Sequence, residues 1–229
     1  GSRTSRALIE NLAGQHALTL CLEPALPNGA LKTWRKGVGW YTVLAQGAAA
    51  HAGTDHERGV NAIAEMAHHI LAIQALTDYA RGTTLSVGQI SGGTRGNVVP
   101  DTCSVLVDFR AKTPEEAARV EAFFRALRPV LPGARLEVSG GLNRPPMVRD
   151  EIMLRTFGRA QQIGAQLGQP LAEGGTGGGS DASFVAALGR PVLDGLGPLG
   201  AGAHSEREHI LIESLAPRAA LLAALIRQW

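Results

Sequence analysis

The middle of this 229-residue chain carries the pattern that most restricts its fold. From Gly37 onward, apolar residues alternate with small or polar ones, which predicts a half-buried strand. Further periodic segments follow in chain order: an amphipathic helix over 59–79, strands over 83–90 and 97–110, a helix over 113–127 and a strand over 134–139. Because this order is β-α-β-β-α-β, we expect a ferredoxin-like module, an antiparallel sheet with two helices on one face.

The segments on either side of this module have the helix and strand pattern of an α/β protein. Before it, a helix over 5–13 ends at Gly14, and the apolar run 16–23 predicts a central parallel strand covered on both faces. After it come a helix over 150–167, a short helix over 180–188, a strand around 192 and a helix over 212–227.

The predicted fold class is therefore α/β, with an inserted α+β module. We assign residues 1–36 and 143–229 to a discontinuous α/β domain and residues 37–142 to the insertion. The first flank supplies one predicted strand and the last about two, too few for a doubly wound sheet. We therefore expect further strands upstream of Gly1.

Composition narrows the class of protein. Apolar residues make up 45% and charged residues 18%, as in a globular soluble protein. The net charge is +2 and the basic residues are scattered, so no nucleic-acid partner is expected. No apolar run approaches the ~20 residues of a membrane helix. We therefore expect no membrane association. The expected location is the cytoplasm or the periplasm, and both stay open because a leader peptide already removed would leave no trace in the sequence.

The stretch 174–209 carries most of the candidate chemistry. A glycine-rich run enters a short helix with Ser180 or Asp181 as its N-cap, so free backbone N–H groups at a positive helix end could accept an anionic ligand. A nucleotide loop is the alternative, although neither glycine motif for nucleotides is present. A second glycine-rich loop places His204 between a strand and a helix, where α/β sheets bind ligands; a surface histidine is the alternative reading.

A carboxylate follows the first predicted strand. Glu23 comes directly before Pro24, at the carboxyl end of the apolar run 16–23. Open α/β sheets bind their ligands outside the carboxyl ends of strands, so this position is suited to chemistry. A solvated turn residue is the alternative.

Short motifs along the whole chain, taken together, resemble the M20 metallopeptidases. They are AAHAG at 49–53, GVNA at 59–62, GNVVP at 96–100, DFR at 108–110, TGGGSDAS at 176–183 and HSE at 204–206. Within that family they are most similar to the glutamate carboxypeptidase branch, and they follow the order of the family from Ser2 to the C-terminus.

The resemblance implies a catalytic α/β domain that binds two zinc ions and an inserted lid that forms a homodimer contact. Paired metal ions can hold a hydroxide nucleophile and polarise the scissile carbonyl. Glu23 matches the carboxylate ligand of one zinc ion and His204 the imidazole ligand of the other, both ligand types that zinc accepts. His51 matches the residue that donates to the oxyanion in the partner subunit's active site.

The resemblance also implies a set of substrate-binding residues. Asn97 matches a lid residue of the shared site, and Arg110 and Arg144 match cations that bind substrate carboxylates. The backbones of Gly177 and Gly178 are expected to line the site. The remaining histidines match no site position and are interpreted as surface or core-edge residues: His16, His56, His68, His69 and His209.

The chain departs from the family pattern in what it lacks. The family's H-x-D, bridging Asp and Glu-Glu pair are absent from residues 1–229, so we expect this chain alone to bind zinc weakly and to be inactive. The predicted activity of the complete enzyme is zinc-dependent hydrolysis of an amide bond next to a C-terminal acidic amino acid in a small peptide. The alternatives are a deacylase of N-acyl amino acids and a non-catalytic dimerisation or binding fragment.

Overall fold

The computed structural model describes residue 2 and residues 4–229. In this part of the chain the strands are, in order, β1 (Thr19–Cys21), β2 (Leu31–Arg35), β3 (Gly37–Gln46), β4 (Ala50–His51), β5 (Thr84–Gly92), β6 (Val98–Val99), β7 (Thr102–Ala111), β8 (Arg135–Arg144), β9 (Glu173–Thr176), β10 (Val192–Asp194), β11 (Gly200–Ala201) and β12 (His209–Ile210). The α-helices are α1 (Arg6–Gln15), α2 (Ala62–Gln74), α3 (Pro114–Ala126), α4 (Glu151–Gln166), α5 (Ala182–Ala187) and α6 (Leu215–Gln228). Short 3-10 turns lie at His56–Arg58 and Ile212–Ser214.

The chain divides into two compact units. We call Gly1–Lys36 with Arg144–Trp229 the outer unit, and Gly37–Asn143 the inserted unit. None of the helices in the described residues is both long and apolar enough to cross a lipid bilayer.

The inserted unit is a sheet of order β5-β7-β3-β8 that shares one core with α2 and α3. Strands β3 and β7 pair antiparallel over their full length. Every second residue of β3 enters the core, where the ring of Tyr41 stacks on Phe124 of α3 at 3.8 Å between centroids. This arrangement confirms the predicted class, an α/β protein with an inserted ferredoxin-like α+β module.

Both helices of the inserted unit start at side chains that cap a backbone N–H. The side chain of Thr113 accepts a hydrogen bond from the N–H of Glu116 at 3.3 Å, and Pro114 occupies the first helical position of α3. Helix α2 begins in the same way, with Asn61 accepting from Ala64 at 2.9 Å. The predicted start of α3 is therefore confirmed, and α2 is shorter at both ends than the predicted 59–79.

Two carboxylates are buried in the inserted unit. Glu65 accepts hydrogen bonds from the N–H groups of Val130 and Leu131 at 2.9 and 2.7 Å and lies 2.6 Å from Nε2 of His69. Burial opposes ionisation, but these hydrogen bonds lower the pKa of Glu65. His69 is itself buried, so of the two expected positions, surface or core edge, the surface is excluded.

The second buried carboxylate belongs to Glu116. It accepts from Arg119 at 2.7 Å, from the hydroxyl of Thr83 at 2.7 Å and from Arg81 at 3.2 Å. The hydrogen bonds from Arg119, reinforced by those from Thr83 and Arg81, lower the pKa of Glu116 to about 2. Both buried acids of this unit are thus stabilised in the charged form.

The outer unit contains a sheet of order β1-β10-β2-β9. Strand β1 pairs parallel to β10, β10 antiparallel to β2, and β2 parallel to β9. The adjacent residues Val192 and Leu193 of β10 enter different apolar clusters, one with Val185 of α5 and one with Leu221 of α6. Since neighbouring strand residues point to opposite faces, both faces of β10 are covered.

Several expectations for the outer unit are wrong. The run 16–23 forms only three strand residues, all half-buried, and β1 lies at the edge of the sheet among the described residues. The central, doubly covered strand is β10 instead, because the sheet continues from β10 to β2. Helix α1 runs through Gly14 and ends at Gln15. Each flank contributes two strands to this sheet. One strand of each pair, β2 in the first flank and β9 in the second, was not predicted.

Boundaries also differ in the second half of the predicted pattern. The strand expected over 97–110 splits at Pro100, whose missing N–H interrupts a ladder, into β6, which pairs with β4, and β7. Strand β8 is longer than the predicted 134–139, and α6 begins after a 3-10 turn, later than the predicted 212.

Candidate functional site

The loop that carries Glu23 leaves the carboxyl end of β1 beside the carboxyl end of β10. Cys21 pairs with Asp194 in the sheet. Beyond this pair, the N–H of Leu196 donates to the carbonyl of Cys21 at 3.2 Å, and the N–H of Gly197 donates to the carbonyl of Glu23 at 2.9 Å. These bonds hold exposed Glu23 beside the segment that leads to the β11–β12 hairpin.

Gly197 is required for this close approach. A Cβ atom there would lie 2.5 Å from the carbonyl oxygen of Leu22, which is far below a van der Waals contact. Only glycine allows the two backbones to run so close together.

His204 lies in the loop between β11 and β12. Its side chain is exposed, its backbone φ of 65° is in the left-handed region, and its N–H donates to Oε2 of Glu208 at 3.0 Å. A non-glycine residue in that region stores backbone strain of ~1 kcal/mol or more, which is a reason to look for function there. Glu23 and His204 thus lie on two different loops of the outer unit, one after β1 and one between β11 and β12.

The described residues do not form a complete zinc site. Glu23 and His204 are ligand types that zinc accepts. A structural zinc site has four protein ligands, however, and a catalytic one has three and a water molecule. In residue 2 and residues 4–229 there is no group of three or more His, Cys, Asp or Glu side chains that could hold a metal ion. Glu23 and His204 therefore supply, at most, part of the expected set.

A buried ion pair that the sequence reasoning missed lies at the end of β10. Nε and Nη2 of Arg35 donate to the two carboxylate oxygens of Asp194 at 2.5 and 3.0 Å, with the side chains 3% and 0% exposed. Nη1 of Arg35 also donates to the carbonyl of Gly178 at 3.0 Å. One guanidinium thus ties the glycine-rich loop to the strand. A lone Asp in the apolar run 191–196 was the available signal, because a buried carboxylate needs a cation.

Lys32 is a second buried cation at this place. Its ammonium donates to the carbonyl of Pro24 at 2.7 Å, directly after Glu23. Burial, followed by the nearby charge of Arg35, lowers the pKa of Lys32. Lys32 therefore fixes the backbone of the Glu23 loop from β2.

The glycine-rich loop does not offer the free N–H groups that the sequence suggested. At the start of α5, the N–H of Ala182 donates to Oγ of Ser180 at 3.1 Å, and the N–H of Ser183 donates to the carbonyl of Ser180 at 3.2 Å. The N–H of Phe184 donates to the carbonyl of Asp181 at 3.0 Å. The prediction of an open anion site at this helix end is therefore wrong, because the first amides are satisfied within the turn.

Both arginines that were expected to bind substrate carboxylates are ion-paired within the chain. Nη2 of Arg144 donates to Oδ1 of Asp181 at 2.7 Å. Arg110 binds Asp108 in a bidentate pair at 2.7 and 2.8 Å, on the same face of β7 because the two residues are two positions apart. Each guanidinium is therefore held in place by an aspartate.

The remaining expected substrate contacts are backbone groups. Gly177 and Gly178 are exposed in the loop after β9, and the N–H of Gly178 donates to Oγ1 of Thr176 at 3.3 Å. This loop lies in the outer unit together with Glu23, Arg144 and His204.

His51 and Asn97 lie together in the inserted unit. Strand β4 pairs with β6, and the N–H of Ala52 donates to the carbonyl of Asn97 at 3.0 Å. The N–H groups of Gly53 and Thr54 donate to Nδ1 of His51 at 3.1 and 3.2 Å. Because Nδ1 accepts, a neutral His51 carries its proton on Nε2. The exposed ring thus presents an N–H donor.

The fold and these residues define a class of protein. Its outer unit is a mixed sheet with candidate metal ligands in the loops after its strands, and an α+β unit is inserted into its sequence. Residues 33–130 match the family model of the peptidase dimerisation domain, M20_dimer. The chain is 30% identical over 228 residues to Carboxypeptidase G2 of Pseudomonas sp. (strain RS-16). The matched region covers 98% of this chain and 55% of that protein. The chain is thus a relative of the M20 metallopeptidases and contains their dimerisation domain, as the sequence motifs predicted.

The chain is also similar in sequence to a second curated protein and in fold to a solved structure. The chain is 35% identical over 150 residues to the succinyl-diaminopimelate desuccinylase of Xanthomonas oryzae pv. oryzae (strain MAFF 311018), covering 64% of this chain and 38% of that protein. Its fold is similar to that of aminopeptidase PepT from Bacillus cereus, with a TM-score of 0.75, 22% identity and coverage of 99% of this chain and 61% of that one. The chain spans about half the length, or less, of these curated relatives.

Proposed function

We propose that the whole protein is a zinc-dependent hydrolase of the metallo-carboxypeptidase type, which cleaves an amide bond next to a C-terminal acidic amino acid. The observation that carries the proposal is the backbone pairing of Glu23 with Gly197. This pairing holds Glu23, one of the two expected zinc ligands, beside the segment that leads to the second, His204. In this proposal two zinc ions bind with further ligands that are not among the described residues.

In this proposal the substrate carboxylates bind to arginines that are already oriented. The aspartate partners fix the guanidinium planes of Arg110 and Arg144, so a carboxylate that arrives shares a cation held in one position. Asn97 and the backbones of Gly177 and Gly178 complete the contacts to the rest of the substrate.

His51 serves as the oxyanion donor in the site of the partner subunit. Its Nε2–H is set by the two backbone donors at Nδ1, so the ring does not need to rotate or change tautomer before it donates. Preorganisation of this kind is what a transition-state donor requires.

The proposal includes a homodimer through the inserted unit. Among the described residues β5 is an edge strand of its sheet, and Ile90 on it is 59% exposed. Helix α2 packs beside β5 and exposes Ile63 and Leu71, the latter by 74%. A second copy placed along this edge would pair the free backbone groups and cover the apolar side chains.

The experiment is a substrate screen with the whole protein, loaded with zinc and then stripped with a chelator. We expect benzoyl-glutamate or folyl-glutamate to be hydrolysed with kcat/KM at least about 100-fold above the matching glutamine analogue, the order expected when a buried charge partner is lost. Zinc removal should abolish the activity and zinc should restore it. Equal rates for the glutamate and glutamine substrates would contradict the acidic specificity.

A second candidate is a deacylase of N-acyl amino acids. The specific observation that favours it is the 35% identity over 150 residues to a succinyl-diaminopimelate desuccinylase. The same screen decides between the two candidates, since faster hydrolysis of N-succinyl or N-acetyl amino acids than of acyl-glutamates would select the deacylase.

A further inference from the structure

A cavity of about 410 Å³ opens in the outer unit, within the size range of small-molecule sites. Its wall is formed by the turn at Asn28 and Gly29, the segment 169–172 before β9 and the start of α6. None of the residues that were predicted for the active site lines it. The cavity therefore needs its own explanation.

A buried cation lies in its wall, Arg218 on the first turn of α6. This side chain is 9% exposed, and its Nη2 donates to the carbonyl of Gly29. No carboxylate in the described part of the chain forms an ion pair with it. Burial lowers the pKa of the Arg218 guanidinium, and no acidic group among these residues offsets that effect. A buried cation with a carbonyl as its recorded partner is costly unless an anion joins it.

Two other polar side chains of the wall, Gln169 and Ser214, form hydrogen bonds within the chain. The side-chain amide of Gln169 donates to the carbonyl of Pro217 at 3.3 Å, and Oγ of Ser214 donates to the carbonyl of Leu211 at 2.6 Å. The N–H of Leu199 donates to the same Oγ at 3.0 Å. Arg218 is the cationic donor of the wall, and it keeps donor capacity because a guanidinium carries five N–H groups and one hydrogen bond of Arg218 is recorded.

The rest of the wall selects among anions. Leu171, Leu199 and Pro217 present apolar surface. The exposed carboxylate of Glu213 also lies in the wall and would repel a dianion more strongly than a monoanion. Phosphate is disfavoured on both grounds, because it brings a second negative charge and no apolar part.

We propose that this cavity binds a small organic monocarboxylate, whose oxygens pair with the Arg218 guanidinium while its apolar body packs against Leu171 and Leu199. The positive end of α6 adds a favourable field for the carboxylate. The site is independent of the hydrolase proposal, since it uses none of the same residues.

The test is a titration of the whole protein with isovalerate, followed by calorimetry, with isovaleramide and inorganic phosphate as comparison ligands. We expect a Kd on the order of millimolar for isovalerate, at least about tenfold weaker binding of the isosteric amide, because a charged hydrogen bond is replaced, and weaker binding of phosphate. No binding of isovalerate, equal binding of the amide, or tighter binding of phosphate would overturn the proposal.

Two variants locate the site. Arg218→Met keeps the apolar stem and should weaken isovalerate binding at least about tenfold. Leu211→Trp should block the cavity sterically without touching the buried cation, which keeps the test valid if the first variant does not fold. Ile212→Trp is the matched control, because Ile212 is 78% exposed and lies outside the wall. Binding by Leu211→Trp that equals that of Ile212→Trp would place the ligand elsewhere and refute the assignment.

Discussion

The two units differ in how they satisfy the charges that they bury. The inserted unit buries the acids Glu65 and Glu116, and each accepts several hydrogen bonds from nearby donors. The outer unit buries the cations Lys32, Arg35 and Arg218, of which the structure pairs Arg35 with an acid. The other two donate to backbone carbonyls. The inserted unit thus satisfies its buried acids with several donors each, whereas the outer unit leaves two buried cations, Lys32 and Arg218, with backbone carbonyls as their recorded partners.

The apolar cores also show that the inserted unit is the more self-contained of the two. In the inserted unit β3 and β7 pair over ten residues, and β3, β5 and β7 share one core cluster with α2 and α3. In the outer unit β1 and β10 have three residues each, and the apolar side chains divide into separate clusters. Long paired strands with one core are typical of a module that folds by itself. Short strands with divided cores depend more on their neighbours.

The strongest test of this comparison is to separate the units. We expect an excised segment of residues 37–143 to fold cooperatively and to form a dimer, because its core and its hydrogen-bonded acids lie within it. Sedimentation and urea denaturation followed by circular dichroism would measure both properties. A monomer would remove the dimer from the proposal, and an unfolded chain would show that the inserted unit needs the rest of the protein.

The next test removes the buried acid of the outer unit, Asp194. Asp194→Asn in the whole protein should lower the free energy of unfolding by about 3–5 kcal/mol, because it leaves Arg35 buried without its counter-charge. Asp108→Asn is the matched control in the inserted unit, since its pair with Arg110 is partly exposed, and should cost at most about 1 kcal/mol. Equal losses in the two variants, measured by denaturant titration, would contradict the contrast between the units.

How far the sequence predicts such features depends on whether the signal is local. The start of α3 is encoded by adjacent residues, Thr113 and Pro114, and was predicted correctly. Strands β2 and β9 were missed because charged residues interrupt the apolar pattern of β2 and glycines make up half of β9. These segments form strands because they pair with each other, although they are distant in the sequence. The same holds for the site: the motifs locate candidate residues, but the pair of Arg35 with Asp194 joins positions 159 residues apart.

A third test asks whether the inserted unit takes part in chemistry. His51→Ala in the whole enzyme should lower kcat by about 10²- to 10³-fold with an unchanged zinc content, the usual loss for an oxyanion donor. His51→Gln is the conservative comparison, since its side chain also carries an N–H donor. Mixing His51→Ala with a Glu23→Ala variant should restore part of the activity if His51 acts in the partner's site. Verified subunit exchange without recovery would assign His51 to its own chain or to no catalytic role.

The smallest expected effect concerns the loss of stability in acid, which should differ in size between the two units. The folded pKa of Glu116 is about 2, below the ordinary value of 4.5. A depressed pKa contributes stability that is present above pH ~4.5 and is lost as the pH falls toward 2. Because the carboxylate of Glu116 is buried, we expect this contribution to reach at most about 3 kcal/mol at neutral pH. Glu65, whose pKa is also lowered, adds in the same direction.

Urea denaturation of wild type and Glu116→Gln between pH 7 and pH 2.5 measures this contribution. Gln keeps the size of the side chain and cannot titrate, so the variant should be less stable at pH 7 and should converge with wild type near pH 2.5. Glu173→Gln is the control from the outer unit. Its pair with Arg149 is more exposed, and we expect the pH dependence to change less. Parallel curves for wild type and Glu116→Gln would mean that the inserted unit does not owe its stability to ionised buried acids, and the proposed contrast between the units would then rest on their cores alone.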